Sequence, residues 1–141
     1  MFDNSVYSGF PMFNYHPNLV RDIKASRFDV VSSANNHALD RRAKGADMTI
    51  EVQDANGLKH TGVRHTSTGA EGTFHTIVEK NGWRVAFIAC TFSTNGVPDK
   101  FKQVLMCFEQ KDLVLEIVRN LAADATIDAV IATPHWVSYL L

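Results

Sequence analysis

Asn35, Asn36, His37 and Asp40 place two amides, an imidazole and a carboxylate within the six residues Asn35 to Asp40. An amide oxygen can ligate a hard or borderline cation, and an imidazole can move a proton near neutral pH. The preceding run, Phe28-Asp29-Val30-Val31-Ser32-Ser33, is short and β-branched, so it reads as a buried strand, parallel to its neighbours. Its polar residues therefore fall at a strand's carboxyl end, where open α/β sheets bind ligands. The same residues also suit a plain turn, with Asn35 and Asn36 capping it and His37 an ordinary loop histidine.

Two more apolar runs end in similar groups. Arg84-Val85-Ala86-Phe87-Ile88-Ala89-Cys90 leads to Thr91 and Asn95, and Asp128-Ala129-Val130-Ile131-Ala132-Thr133 leads through Pro134 to His135 and Trp136. If the three strands are parallel neighbours, Asn36, His37, Thr91, Asn95 and His135 share one edge of a sheet. Taken alone, His135 and Trp136 would simply close the core. His16, His60, His65 and His75 gain no such support; His75 is expected to face solvent from a hairpin, and His60 to begin a strand near the loops. No glycine-rich phosphate loop, Gly-x-Ser-x-Gly elbow or His-Glu-x-x-His motif occurs, which leaves those chemistries without a foothold.

The elements that must position these groups follow from periodicity. Residues 1–17 are rich in Asn, Gly, Pro and aromatics; Phe2, Tyr7, Phe10, Phe13 and Tyr15 are expected to lie buried across something. A short helix follows Pro17, with Leu19, Val20 and Ile23 on one face up to about Ser26. Arg41-Arg42-Ala43-Lys44 is expected to be a solvated turn, and Met48, Val52 and Ala55 mark a helix over roughly 44–55. Asn56-Gly57 ends it, and Leu58 to Val63 is a strand completing a β-α-β unit. Asn81-Gly82 between two apolar runs predicts a hairpin. Leu113, Ile117 and Leu121 define a helix over 111–123, whereas 97–109 has no clear pattern.

The composition suits one globular domain of 141 residues, with 45% hydrophobic and 21% charged residues and a net charge of -1. That charge gives no general attraction to nucleic acid or anionic lipid. No run approaches the roughly 18 apolar residues of a membrane span, and the first residues lack a secretory signature. Cys90 and Cys107 have neither metal-site spacing nor a disulfide-rich pattern, so Cys90 is expected to act as a small buried hydrophobe.

The string Ala34-Asn35-Asn36-His37-Ala38-Leu39-Asp40 after Phe28-Asp29-Val30-Val31 resembles the CapA capsule-synthesis family, also called poly-γ-glutamate synthesis proteins. Gly57-Leu58-Lys59-His60-Thr61-Gly62, Asn81-Gly82-Trp83-Arg84-Val85-Ala86-Phe87-Ile88-Ala89 and His135-Trp136 follow in the family's order, so the resemblance spans roughly 15–136 of a single domain over 1–141. It implies an α/β fold, the layered αββα sandwich of calcineurin-like metallophosphoesterases, here its central portion with a mixed sheet and flanking helices. It also implies a divalent metal (Mn, Fe, Zn or Mg), with Asn36 and His135 as ligands and His37 as the catalytic imidazole. Asn35, Asp40, Thr91 and Asn95 would orient these groups or meet substrate.

The family's early Gly-Asp ligand and its late Gly-His-x-His segment have no counterpart here, and Val137-Ser138-Tyr139 replaces a Gly, an acidic residue and Tyr. The expectation is therefore a partial domain, weakly active or inactive alone, tied to capsule or poly-γ-glutamate production. The alternative is a non-catalytic binding or assembly module, meeting capsule-synthesis machinery or a second copy through an exposed sheet edge. A complete hydrolase using His37 as base without metal finds no suitably placed Ser or Cys nucleophile. The family is often associated with the cell envelope, which leaves this chain's own location open.

Overall fold

Apolar residues at helical spacing place α1 at Asn18–Ala25 and α2 at Arg42–Ala55. The computed structural model describes residues 6–136; the expectations for Phe2, the first five residues and Val137 to Tyr139 lie outside them. Between these helices runs β1 (Val30–Ser32), and after α2 comes β2 (Lys59–Thr61), paired parallel with β1 from Val30 opposite Lys59 to Ser32 opposite Thr61. This is the expected β-α-β unit. The turn expected at Arg41 to Lys44 is instead the entry to α2, opened by Gly45 N–H donating to the Arg41 carbonyl (3.0 Å), with Arg42 left-handed at φ 57°.

The hairpin is β3 (His75–Lys80) against β4 (Trp83–Thr91), antiparallel, with Lys80 opposite Trp83. Both turn residues, Asn81 (φ 53°) and Gly82 (φ 82°), are left-handed, the backbone a two-residue hairpin turn with the sheet's twist demands. After α3 (Lys111–Ala123), β5 (Ala129–His135) pairs parallel with β4, setting Thr91 beside His135. The strand order is β3-β4-β5, so β4 is central and β5 forms an edge.

The three strands that end in polar groups do not belong to one sheet: among the described residues β1 pairs with β2 alone, and β4 and β5 lie in the other sheet. Residues 103–107, unassigned from sequence, join the two. Arg64 N–H donates to the Gln103 carbonyl (2.8 Å), Leu105 N–H to Gly62 (2.9 Å), Thr91 N–H to Leu105 (3.0 Å) and Cys107 N–H to Thr91 (2.8 Å). The backbone ladder thus runs from β1 and β2 through this segment to β4 and β5, and the strand ends still meet.

Side chains alternate across β4. Ala89 packs with Ala34, Ala38, Leu39, Ala46, Ile50, Val63 and Val104, while Ile88 and Cys90 pack with Phe74, Leu105 and Cys107 beneath α3. Gly62 (φ +85°) makes the first packing possible, since a Cβ there would stand 2.5 Å from the Ala34 Cβ and 2.7 Å from the Ala89 carbonyl oxygen. Cys90 is not a free buried thiol. It forms a disulfide with Cys107, the Cα atoms 5.1 Å apart, because the backbone bonds of Thr91 bring the two segments side by side.

Two further expectations are corrected. Tyr7 (53% exposed), Phe10 (82%) and Tyr15 (47%) are not buried; of the described aromatics before Pro17, Phe13 is the one packed inward, and a pair of backbone bonds between Ser8 and Asn14 holds the segment as a strap. His75 is half-buried rather than solvent-facing, and burial holds its imidazole below its ordinary pKa. His60 lies within β2, where burial also lowers its pKa against the opposing pull of Asp54.

Candidate functional site

The loop leaving β1 is shaped by its own polar groups. The Asn35 carboxamide oxygen accepts the His37 backbone N–H (2.9 Å), the local turn that asparagine side chains form. Asn35 therefore builds the loop. Buried Asp40 receives the Phe13 backbone N–H (2.8 Å) and stands 2.8 Å from His37 Nδ1 on the same oxygen, Oδ2. A carboxylate accepts only, so Nδ1 carries the proton and Nε2 of a neutral ring is left as the basic atom. The Phe13 ring meets the imidazole edge-on, centroids 4.6 Å apart, and stacks on Tyr15 at 5.7 Å.

Asn36 reaches the other strand ends. Its Oδ1 lies 3.0 Å from His135 Nε2, a contact joining residues 99 apart, and its Nδ2 donates to Asn95 Oδ1 (3.2 Å). The loop after β1 and the end of β5 therefore face each other across one cleft. Asn95, left-handed at φ 53°, also holds its Nδ2 3.5 Å from His37 Nδ1. Thr91 is fully buried and its hydroxyl donates to the Ser93 carbonyl (3.0 Å), so it sets the loop carrying Asn95 and offers nothing to the cleft. Phe92 N–H donates to the His135 carbonyl (3.0 Å), which anchors the backbone behind the imidazole.

His37 stands between two cavities separated by the Phe13 strap. One, of about 330 Å³, is walled by Phe13, Tyr15, Ser33, Asn35 and Gln53. The other, of about 430 Å³, is walled by Phe10, Met12, Asp40, Asn95 and Val97. The geometry can orient one imidazole, expose its Nε2 and offer a neutral amide oxygen beside a second imidazole. Sequence reasoning missed Phe13, whose role runs through its backbone N–H; its place in an aromatic-rich stretch was the one available signal.

His16, His60, His65 and His75 stay outside this cluster. His65 instead turns its Nδ1 to the Ser67 N–H (3.1 Å) and its Nε2 to Glu51 (3.3 Å). Among the described residues, no group of three or more His, Cys, Asp or Glu could hold a metal ion.

A family model for the bacterial capsule synthesis protein PGA_cap matches the chain over residues 2–139. The chain belongs to that family. Similar curated proteins are the uncharacterized proteins y4sH and y4uA of Sinorhizobium fredii (strain NBRC 101917 / NGR234), each 30% identical over 100 residues. The match takes in 66% of this chain and 21% of each relative, so the chain spans about a fifth of the length of these curated relatives.

Proposed function

We propose that this chain contributes a metal-assisted phosphoester-hydrolysing site to bacterial capsule synthesis, on a metallophosphoesterase-like sandwich, and turns over weakly on its own. The observation carrying this reading is the 3.0 Å approach of His135 Nε2 to Asn36 Oδ1. Two donors bound at about 2.1 Å and at right angles to one cation stand roughly 3 Å apart, so the pair suits adjacent corners of one coordination sphere. A divalent cation (Mn, Fe, Zn or Mg) bound there would polarise a phosphoryl oxygen and activate water. Two neutral donors hold such a cation weakly, because affinity grows with ligand number and charge.

The chain's own residues have separate tasks in this scheme. Asp40 holds the proton on His37 Nδ1, and in the imidazolium form His37 Nε2–H gives its proton to the leaving oxygen or steadies the transferring group, returning to the neutral ring. Asn95 holds Asn36 in register, and Asn35 holds the backbone of His37. With p-nitrophenyl phosphate and added Mn²⁺, turnover is expected near background and little changed by His37→Ala. Calorimetry should show millimolar Mn²⁺ binding that Asn36→Ala and His135→Ala each abolish. Robust turnover destroyed by His37→Ala would overturn weak activity; no Mn²⁺ binding would overturn the metal.

A second reading, a non-catalytic assembly module, draws support from the way Asn36, Asn95 and His135 satisfy one another internally. It predicts no Mn²⁺ binding and self-association, or docking of capsule machinery, through the edge of β5.

A further inference from the structure

The two cysteines of the chain are both consumed in one cross-link, and its position is informative. Cys90 immediately precedes Thr91, the residue whose backbone accepts Cys107 N–H and donates to Leu105. Thr91 is also the register partner of His135. On the outer side, the residues directly following Cys90-Thr91, Cys107 and His135 are Phe92, Phe108 and Trp136. Their rings meet edge-on, 5.6 Å from Phe92 to Phe108 and 5.5 Å from Phe108 to Trp136, although each is about half exposed. The same cross-link and Trp136 line one cavity of about 240 Å³ against α3.

We infer that the Cys90–Cys107 disulfide is a redox-dependent clamp on the strand end that carries Thr91 and His135, and that the chain works in an oxidising compartment. The bond forms when the two thiols pass two electrons to an oxidising protein disulfide. One thiolate attacks that disulfide, the second resolves the mixed disulfide, and the oxidant leaves as a dithiol with the two protons. Such bonds persist in oxidising surroundings and are rare where glutathione and thioredoxin keep thiols reduced.

Without the clamp, residues 103–107 are joined to β4 by backbone hydrogen bonds and the packing of Val104 and Leu105. The aromatic triad then loses one of its three fixed points, and the ladder from Gly62 to β5 is weakened at its centre. Both cysteines are 8% exposed, which shields the bond from casual exchange while leaving it open to a strong reductant.

Alkylation of the whole chain, purified without reductant after export to an oxidising compartment, tests this by intact mass. No adducts are expected before reduction and two after it. Tris(2-carboxyethyl)phosphine should lower the wild-type melting temperature by roughly 10 °C, the effect of opening a loop of this size. The Cys90→Ala/Cys107→Ala variant should not respond to reductant. Amide exchange at Thr91, Phe92 and Cys107 should quicken about tenfold on reduction, with α2 amides little changed. This set is independent of the hydrolase reading, because no readout is activity. Two adducts on the unreduced protein, or a melting temperature and Thr91 exchange indifferent to reductant, would overturn the clamp.

Discussion

The two faces of β4 are covered in different ways. On one, Ala34, Ala38, Leu39, Ala46, Ile50, Val63, Ala89 and Val104 are all 5% exposed or less, and small side chains let backbones approach closely around Gly62. On the other, Phe74, Ile88 and Leu105 are buried, but the α3 residues above them, Leu113, Val114, Ile117 and Val118, are only partly covered. On β5 beside them, Val130 is likewise only partly covered. Around Gly62 and Ala89 the first face is closed by the chain's own packing, whereas the second has an open roof and a covalent cross-link beneath it. The site belongs to the first face: His135, the register partner of Thr91, lies on the same side of the sheet as Ala89 and meets the Asn-Asn-His loop there.

Substitutions can sharpen or break that contrast. Gly62→Ala should do most harm, costing about 3–5 kcal/mol, from a left-handed alanine plus overlap with Ala34 and Ala89. Urea denaturation should show little folded protein remaining. Leu39→Ala on the closed side should cost about 3 kcal/mol and Leu113→Ala on the open side about 1 kcal/mol; equal losses by the same measurement would erase the distinction.

Asp40→Asn should cost about 2 kcal/mol. It removes the negative charge from the acceptor that the Phe13 N–H and His37 share at Oδ2 and puts an NH2 group in place of a buried carboxylate oxygen. His37 should then lose its single tautomer, visible in the ¹⁵N shifts of its imidazole. The smallest expected effect is on acid stability. His75 has its pKa lowered by burial from the ordinary 6.5, so the unfolded chain binds its proton first. The stability linked to its neutral ring is complete above pH 6.5 and lost as the pH falls from there through the folded value. His75→Gln should flatten the urea midpoint between pH 7.5 and 5.5 in part, His60 supplying the remainder with the same sign.

The elements written in local pattern were legible in the sequence. Asn81-Gly82 marks a turn because both residues tolerate positive φ, and α3 follows from the spacing of Leu113, Ile117 and Leu121. The clustering of Asn36, Asn95 and His135 was legible as three polar loops at strand ends, although the reason given, one parallel sheet, was wrong. What brings the loops together is the segment 103–107, whose role rests on backbone hydrogen bonds that any sequence can make. The same bonds explain why the disulfide was missed: a separation of 17 residues carries no signal until the two segments are seen side by side. Phe13 escaped for the same reason, since an N–H donor has no side-chain signature. The exposure of Tyr7, Phe10 and Tyr15 shows that aromatic content did not guarantee cover for this segment.

His135 is tied twice, its carbonyl to Phe92 and its ring to Asn36. On the proposed reading, an incoming cation or phosphoryl oxygen would meet an occupied seat, and entry would be an exchange of partners. Giving up one such contact sets a threshold of about 1 kcal/mol, close to a fivefold loss of apparent affinity. An Asn95 substitution that lets the Asn36 amide swing away would lower that threshold. The resting molecule carries its own competitor.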